Sequence, residues 1–355
     1  MINPSTKLAG KTVLITGGAG FIGSHLCDKI LGYGGKVICF DDLSTGSKAY
    51  VESQKDNKNF TFIKGDVNKL SDIHVPFLKH RIDYVLHYAA LVGVQRTIDD
   101  PLSVLIDIDG IKNILDLSHK HGVKKIVYAS SSEVYGNQEK QPLHEDESYL
   151  NTRIPYAVVK MVGEHYLQTY WETVGLPYTA LRFFNVYGPR QESSRYGFVV
   201  GVFISQILQG KKPTIFHDGS QTRDFMYVED NVEAAIQALI NEKANGHAIN
   251  LGHSRETSIL ELAKMVAGIA GRKDLEPELF HERALAEIKR RVADNRKMLE
   301  ILEYIPKHNL ESGLKLTFDW YKQNPKLTMS DEKQTFKKYS EQVWIPRDAK
   351  ETDAK

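Results

Sequence analysis

"KTVLITGGAGFIGSHL", residues 11–26, is the stretch on which the reading of this chain turns. An apolar, β-branched run ends in a glycine cluster, and from Phe21 the apolar residues take on helical spacing. Gly17, Gly20 and Gly23 recur every third residue, while Gly18, Gly20 and Gly23 also satisfy G-x-G-x-x-G. A strand, a tight glycine turn and a helix in that order carry backbone N–H groups up to a pyrophosphate at the positive end of the helix. The pattern alone is weak; an acid pair downstream strengthens it. Asp41-Asp42 close the next apolar run about 20 residues on, where a carboxylate accepts hydrogen bonds from an adenosine ribose and repels a 2′-phosphate. The expected cofactor is therefore NAD rather than NADP.

Outward from this stretch, β-rich runs at 11–17, 36–42, 59–66, 82–90, 124–131 and 177–185 alternate with helix-like segments such as 21–31 and 106–119. That alternation predicts an α/β fold, a Rossmann-type doubly wound parallel sheet with right-handed crossovers. After Gly188 the pattern loosens. Helices are predicted near 199–209, 229–241, 258–270 and 294–302, with short strands around a turn at Asp218-Gly219. The expected organisation is a mainly NAD-binding domain at 1–188, to which segments near 220–255 return. A smaller, discontinuous mixed α/β substrate-binding cap occupies mainly 189–325, and a charged tail, mobile or loosely docked, 326–355.

Composition narrows the partners. Lys plus Arg number 46 against 45 Asp plus Glu in 355 residues, so no bulk charge points to nucleic acid or a membrane surface. The two cysteines, Cys27 and Cys39, lie in apolar segments and read as reduced core thiols of a cytoplasmic protein. No run approaches about 18 consecutive apolar residues, and no His/Cys/Asp spacing suggests a metal.

Two further motifs carry chemistry. In "IPYAVVK" (154–160), Tyr156 and Lys160 lie four apart on a helix opening at Pro155 and share a face. A free tyrosine titrates near 10, so a phenolate at neutral pH needs about 3 pKa units of help, roughly 4 kcal/mol. Lys160 and the positive nicotinamide could supply it. "VYASSSEVYG" (127–136) begins as a buried strand and ends in Ser130, Ser131, Ser132 and Glu133. Without the glycine loop, either motif reads as an ordinary helix-surface contact or turn.

Together, TGGAGFIGSHL, Asp41, "HYAA" (87–90), the serine cluster, YAVVK and "LRFFNVYGPR" (181–190) resemble the extended short-chain dehydrogenase/reductase superfamily, in its nucleotide-sugar epimerase/dehydratase branch. The resemblance runs from about Lys11 to Pro325. It implies that Gly17, Gly20, Phe21, Ile22 and Gly23 hold the pyrophosphate of NAD. Asp41, with Asp42, Ser44, Thr45 and Gly46, would hold the ribose, and Asp66 and Val67 the adenine, while Ala89, Ala90, Leu91 and Phe183 line the cofactor path. Tyr156 would be the acid/base, Lys160 its partner and Ser131 the catalytic hydroxyl. The substrate, a nucleotide-diphosphate sugar, would meet Ser131, Ser132, Glu133, Asn185, Val200 and Arg223, with a second arginine at Arg283 or Arg290; Ser130 and Ser132 otherwise read as scaffold. A homodimer through helices near 106–119 and 156–171 is also implied.

Two positions depart from the family pattern. Asp107, in "DIDGIKN", stands where an Asn is usual, and Arg283, in "HERALAEIKRR", is one place out of step, which leaves Arg290 and Arg291 as alternatives. The basic run 289–291 reads equally as a solvated face.

The reactions of the branch begin alike, with oxidation at sugar C4 by NAD. A 4-epimerase needs no further acid or base, a 4,6-dehydratase needs a carboxyl pair, and a uronate decarboxylase uses a nearby Glu and Arg. Ser132-Glu133 lacks one acid of the thymidine-sugar dehydratase pattern, while "HYAALVGVQRTIDDP" and "LRFFNVYGPRQ" look more like 4-epimerases. The reading is a UDP-hexose or UDP-N-acetylhexosamine 4-epimerase, with decarboxylase second and dehydratase third. A non-catalytic NAD- or sugar-nucleotide-binding protein is the alternative of a different class.

Overall fold

Val13, Leu14 and Ile15 are all fully buried, and because successive strand residues point to opposite faces, both faces of the strand they form must be covered. The side chains divide accordingly: Val13 and Ile15 join one core cluster and Leu14 the other. The structure is a computed structural model, which describes residues 1–92, 97, 100–152, 154–193, 197–280 and 288–325.

The predicted β-rich runs form β1 (Thr12–Thr16), β2 (Lys36–Asp41), β3 (Phe60–Lys64), β4 (Tyr84–His87), β5 (Lys125–Ser131) and β6 (Tyr178–Phe183). Shorter strands come after them: β7 (Asn185–Tyr187), β8 (Thr214–Phe216), β9 (Thr222–Tyr227), β10 (His247–Leu251), β11 (Glu256–Ser258) and β12 (Glu278–Phe280). A seven-stranded sheet has the order β10-β6-β5-β4-β1-β2-β3, with every pairing parallel. This is the Rossmann-type α/β architecture expected from the alternation of strands and helices. The order reverses between β1 and β4, so the loop leaving β1 lies at the topological switch point, where open α/β sheets bind ligands.

Some elements differ from the sequence reading. The short strands expected around the turn at Asp218-Gly219 are β8 and β9, but they do not pair with each other: β9 pairs with β11 and β7, and β8 with β12. Both edges of β9 are thereby occupied. The helices Leu70–Lys79 and Leu310–Gln323 are not anticipated by the sequence reading. The first carries Pro76 in its interior, a residue that normally argues against a helix. The second buries Leu314, Thr317, Phe318 and Tyr321 at three- and four-residue spacing, between Lys and Glu residues that mask the stripe.

Among the described residues no helix is long and apolar enough to cross a membrane. Cys27 and Cys39 are free thiols, both buried. Arg283 and the tail expected at 326–355 lie outside the described residues.

Candidate active site

The glycine loop is built by close packing. Gly17 has φ +69°, and a Cβ on Gly23 would fall 2.0 Å from the Gly17 carbonyl oxygen, so the first turn of the helix Phe21–Gly32 lies directly against the loop. The Gly17 N–H donates to Phe40 O at 2.9 Å and the Gly20 N–H to Gly17 O at 3.1 Å. At the end of β2, Asp41 is buried; its Oδ2 accepts from Ala19 N at 3.0 Å and its Oδ1 from Leu43 N at 2.8 Å. Burial pushes this carboxyl up and the two amides pull it back. Asp42 accepts from Ser44 N and Ser44 Oγ at 2.8 and 2.7 Å, while Thr45 is exposed beside Gly46, whose Cβ would lie 2.7 Å from Asp41 Oδ1. Asp66 accepts from Asn68 N beside the buried Val67. These residues fit the dinucleotide: a side-chain-free loop at a helix N-terminus, and a buried acid with lone pairs to spare for a ribose. Ala89, Ala90 and Leu91 are half-buried where the chain leaves β4, and the Phe183 ring stands 5.6 Å from that of Tyr88.

The strand β5 is buried along its whole length, and Ser131 is its last residue. Its hydroxyl accepts from Glu133 N at 3.2 Å, which closes the turn, and a hydrogen bond from the same hydroxyl draws the Tyr156 phenol down. Burial acts on that phenol more strongly and in the opposite direction, aided by the carboxylates of Glu133 and Asp107, so it sits above its ordinary value. The protein alone therefore does not make a phenolate. Lys160 lies one helical turn on, 3% exposed, with its ammonium 5.5 Å from the Tyr156 ring centroid and 5.0 Å from that of Tyr128. Burial pulls its pKa down to about 8, and Asp107 pushes it back up.

The basic run 289–291 separates into two roles. Arg290 is exposed and grips Glu256 through Nε, at 3.0 Å, and Nη2. Arg291 is buried and donates through Nη1 to Glu133 Oε1, while its Nε and Nη2 have no hydrogen-bond partner among the described residues. Arg291, not Arg290, is thus the arginine carried against Glu133, two residues from Ser131. Arg223 donates through Nη1 to Thr222 O and Ile288 O, both at 2.8 Å, and Asn185 donates to Asp224 O at 3.2 Å. Val200 is packed into the main core, and Ser132 opens the short turn before Tyr135.

Several neighbours are not singled out by the sequence. His87 at the end of β4 is buried, its Nδ1 2.7 Å from Thr16 Oγ1, and burial with Lys160 nearby lowers its pKa to about 3, so the imidazole is neutral. Tyr128 lies beneath Lys160. The signal for it is Gly163, three residues after Lys160: a Cβ there would fall 2.4 Å from the Tyr128 hydroxyl. Asp107, in sequence only a departure from the family pattern, lies within electrostatic reach of both Tyr156 and Lys160.

The switch-point glycine loop, the buried acid after β2 and the Tyr156–Lys160 pair at the end of β5 define a dinucleotide-dependent enzyme of the Rossmann type. Comparison with known proteins makes the class specific. The model of the NAD dependent epimerase/dehydratase family matches residues 13–252, and the chain belongs to that family, whose members act on nucleotide sugars with NAD as cofactor. It is 35% identical to a UDP-glucose 4-epimerase of Mycolicibacterium smegmatis over 87% of this chain and 98% of the relative. It is 36% identical to a UDP-N-acetyl-alpha-D-glucosaminuronate decarboxylase of Bacillus cytotoxicus, over 88% and 98%. The crystal structure of a UDP-glucose 4-epimerase of Thermotoga maritima with UDP-glucose is 34% identical and superposes with a TM-score of 0.83, covering 88% of this chain and 99% of that one.

Proposed function

We propose that this protein epimerises a UDP-sugar at C4, a UDP-hexose or UDP-N-acetylhexosamine, with Tyr156 as the acid/base. The observation that carries this reading is the convergence of Ser131, Tyr156 and Lys160 at the carboxyl end of β5, a single acid/base centre of the kind C4 epimerisation needs. Ser131 and Tyr156 hold the C4 oxygen. Tyr156 takes the hydroxyl proton as C4 is oxidised and returns it once the 4-keto sugar has turned over and been reduced on its other face. Lys160 supports the phenolate by its charge. When bound, NAD would supply the hydride acceptor and donor for C4. The loop amides at Gly17–Gly23 hold its pyrophosphate and Asp41 its ribose. Arg223 and Asn185, on neighbouring strands, would meet the diphosphate end of the substrate.

One observation favours a second reading. Arg291 is buried with two guanidinium nitrogens unpartnered among the described residues, and it is paired to Glu133 beside the acid/base centre. A carboxylate on sugar C5 would satisfy that fork, which fits decarboxylation of a UDP-hexuronate with the 4-keto group as electron sink. A 4,6-dehydratase is third, because Ser132 leaves it one acid short.

Incubation with NAD and UDP, GDP, dTDP and CDP sugars, followed by NMR, decides among these. A C4 epimer is expected. A pentose nucleotide with released CO₂ would replace this reading with the decarboxylase, and a 4-keto-6-deoxy sugar would replace it with the dehydratase. Tight NAD binding with no turnover on any sugar would leave a binding protein.

A further inference from the structure

Ser130, one residue before Ser131, and Arg182 stand opposite each other on the neighbouring strands β5 and β6. Glu164 reaches the pair from the helix Pro155–Val174, about two turns beyond Tyr156 and about one beyond Lys160. Its Oε1 accepts from Ser130 Oγ at 2.5 Å and from Arg182 Nε at 3.0 Å, and its Oε2 accepts from Arg182 Nη2 at 2.7 Å. Arg182 Nη1 donates to the Tyr135 hydroxyl at 2.9 Å, which donates in turn to Asn250 Oδ1 at 2.7 Å. Tyr135 closes the short turn that begins at Ser132 and holds Glu133. Ser130, Glu164, Arg182, Tyr135 and Asn250 are all buried. The helix, the strand that ends at Ser131 and the turn after it therefore meet at one carboxylate–guanidinium fork. Apolar packing is non-directional, whereas such a bidentate pair fixes both distance and plane.

We propose that Glu164 and Arg182 are positioning residues for the reaction: their buried pair sets the helix of Tyr156 against the end of β5, and so the Tyr156 phenol against the Ser131 hydroxyl. They act through the elements they join, since Ser130 is the strand residue next to Ser131 and Tyr156 lies on the same continuous helix as Glu164. Proton transfer is sensitive to such placement, and a displacement of about 1 Å can cost about 10²-fold in rate. The inference rests on the proposed role of Tyr156 as acid/base. It applies to epimerase and decarboxylase alike, because both begin with oxidation at C4.

The test is Glu164→Gln, which keeps the shape and one acceptor oxygen but loses the charge and the two-oxygen fork. Rates are measured on wild type and variant well below their melting temperatures, with UDP-glucose, UDP-N-acetylglucosamine and UDP-glucuronate as probes, and both proteins are crystallised with NAD. In the variant kcat is expected to fall by about 10-fold or more, while KM and the NAD dissociation constant stay within about twofold. The crystals are expected to show the Tyr156 hydroxyl drawn away from Ser131 Oγ, with β5 and β6 in place. A lower melting temperature with kcat and the Tyr156–Ser131 contact both unchanged would overturn the inference. So would a fall in kcat with that contact intact, or a lost contact with kcat unchanged. Should Glu164→Gln not fold, Ser130→Ala, which leaves the Arg182 pair whole and cuts only its link to β5, is read in the same way. Absence of turnover by the wild type on all three probes would instead overturn the proposed reaction, and full activity in Tyr156→Phe the acid/base role. The Tyr156–Ser131 contact in the crystals then still decides whether the pair positions the phenol, so the failures are distinguishable.

Discussion

Three adjacent serines end β5, and each meets a different neighbour. Ser130 donates to Glu164, which also grips Arg182 through both its oxygens in a buried network. Ser131 faces Tyr156, and Ser132 starts the turn that holds Glu133. The alternation of a strand explains the first two; the break in the strand explains the third. At this scale Tyr156→Phe is expected to lower turnover by about 10²-fold or more while NAD still binds, as a rate assay beside a fluorescence titration with NAD would show; near-normal turnover would sink the acid/base role. Arg291→Met strands Glu133 without its partner at a half-buried site. A loss of about 1–3 kcal/mol is expected in urea unfolding, and Arg291→Lys should recover only part of it because a lysine cannot reproduce the guanidinium fork.

The element that matters most is the helix Pro155–Val174, which starts at a proline, ends at Gly175 in a left-handed conformation and presents Lys160 and Gly163 to Tyr128. Gly163→Ala would drive a methyl into the Tyr128 ring, which is 2% exposed and has nowhere to go. Overpacking of this kind costs about 1–3 kcal/mol, and here the helix must also tilt away from β5, so Tyr156 and Lys160 move together away from Ser131 and Tyr128. Thermal unfolding together with a rate assay should show both losses at once. A variant that loses stability at full activity would mean that Lys160 tolerates the shift.

At the scale of the molecule, the sheet continues past the first half of the chain through β10, and Lys125 ties β5 to the turn that leads there. Its ammonium donates to Asn241 O at 2.9 Å while 4% exposed, and burial brings its pKa down to about 7. A lysine whose folded pKa lies below the unfolded value gives full stability above about pH 10 and loses it as pH falls toward 7. Lys125→Met is therefore expected to raise the melting temperature by a few degrees at pH 7 and by less at pH 10; a gain independent of pH would show that packing, not charge, decides. The helices Asp107–Lys120 and Pro155–Val174 pack together with Val158, Tyr166 and Trp171 exposed; the homodimer that the family resemblance implies would give twice the 40.2 kDa chain mass in light scattering, and a single chain mass would rule it out. The glycine loop, the acid after it and the Tyr–Lys pair are legible from residues 11 to 160 alone, because each depends on spacing within one strand-turn-helix unit. What the tertiary structure alone decided is which distant groups meet them: that Arg291 rather than Arg290 turns into Glu133, and that Asp107 lies near enough to bear on Lys160. Those pairings depend on long-range packing, where one residue's step along a strand or loop exchanges a buried side chain for an exposed one, and no local pattern in the sequence records that choice.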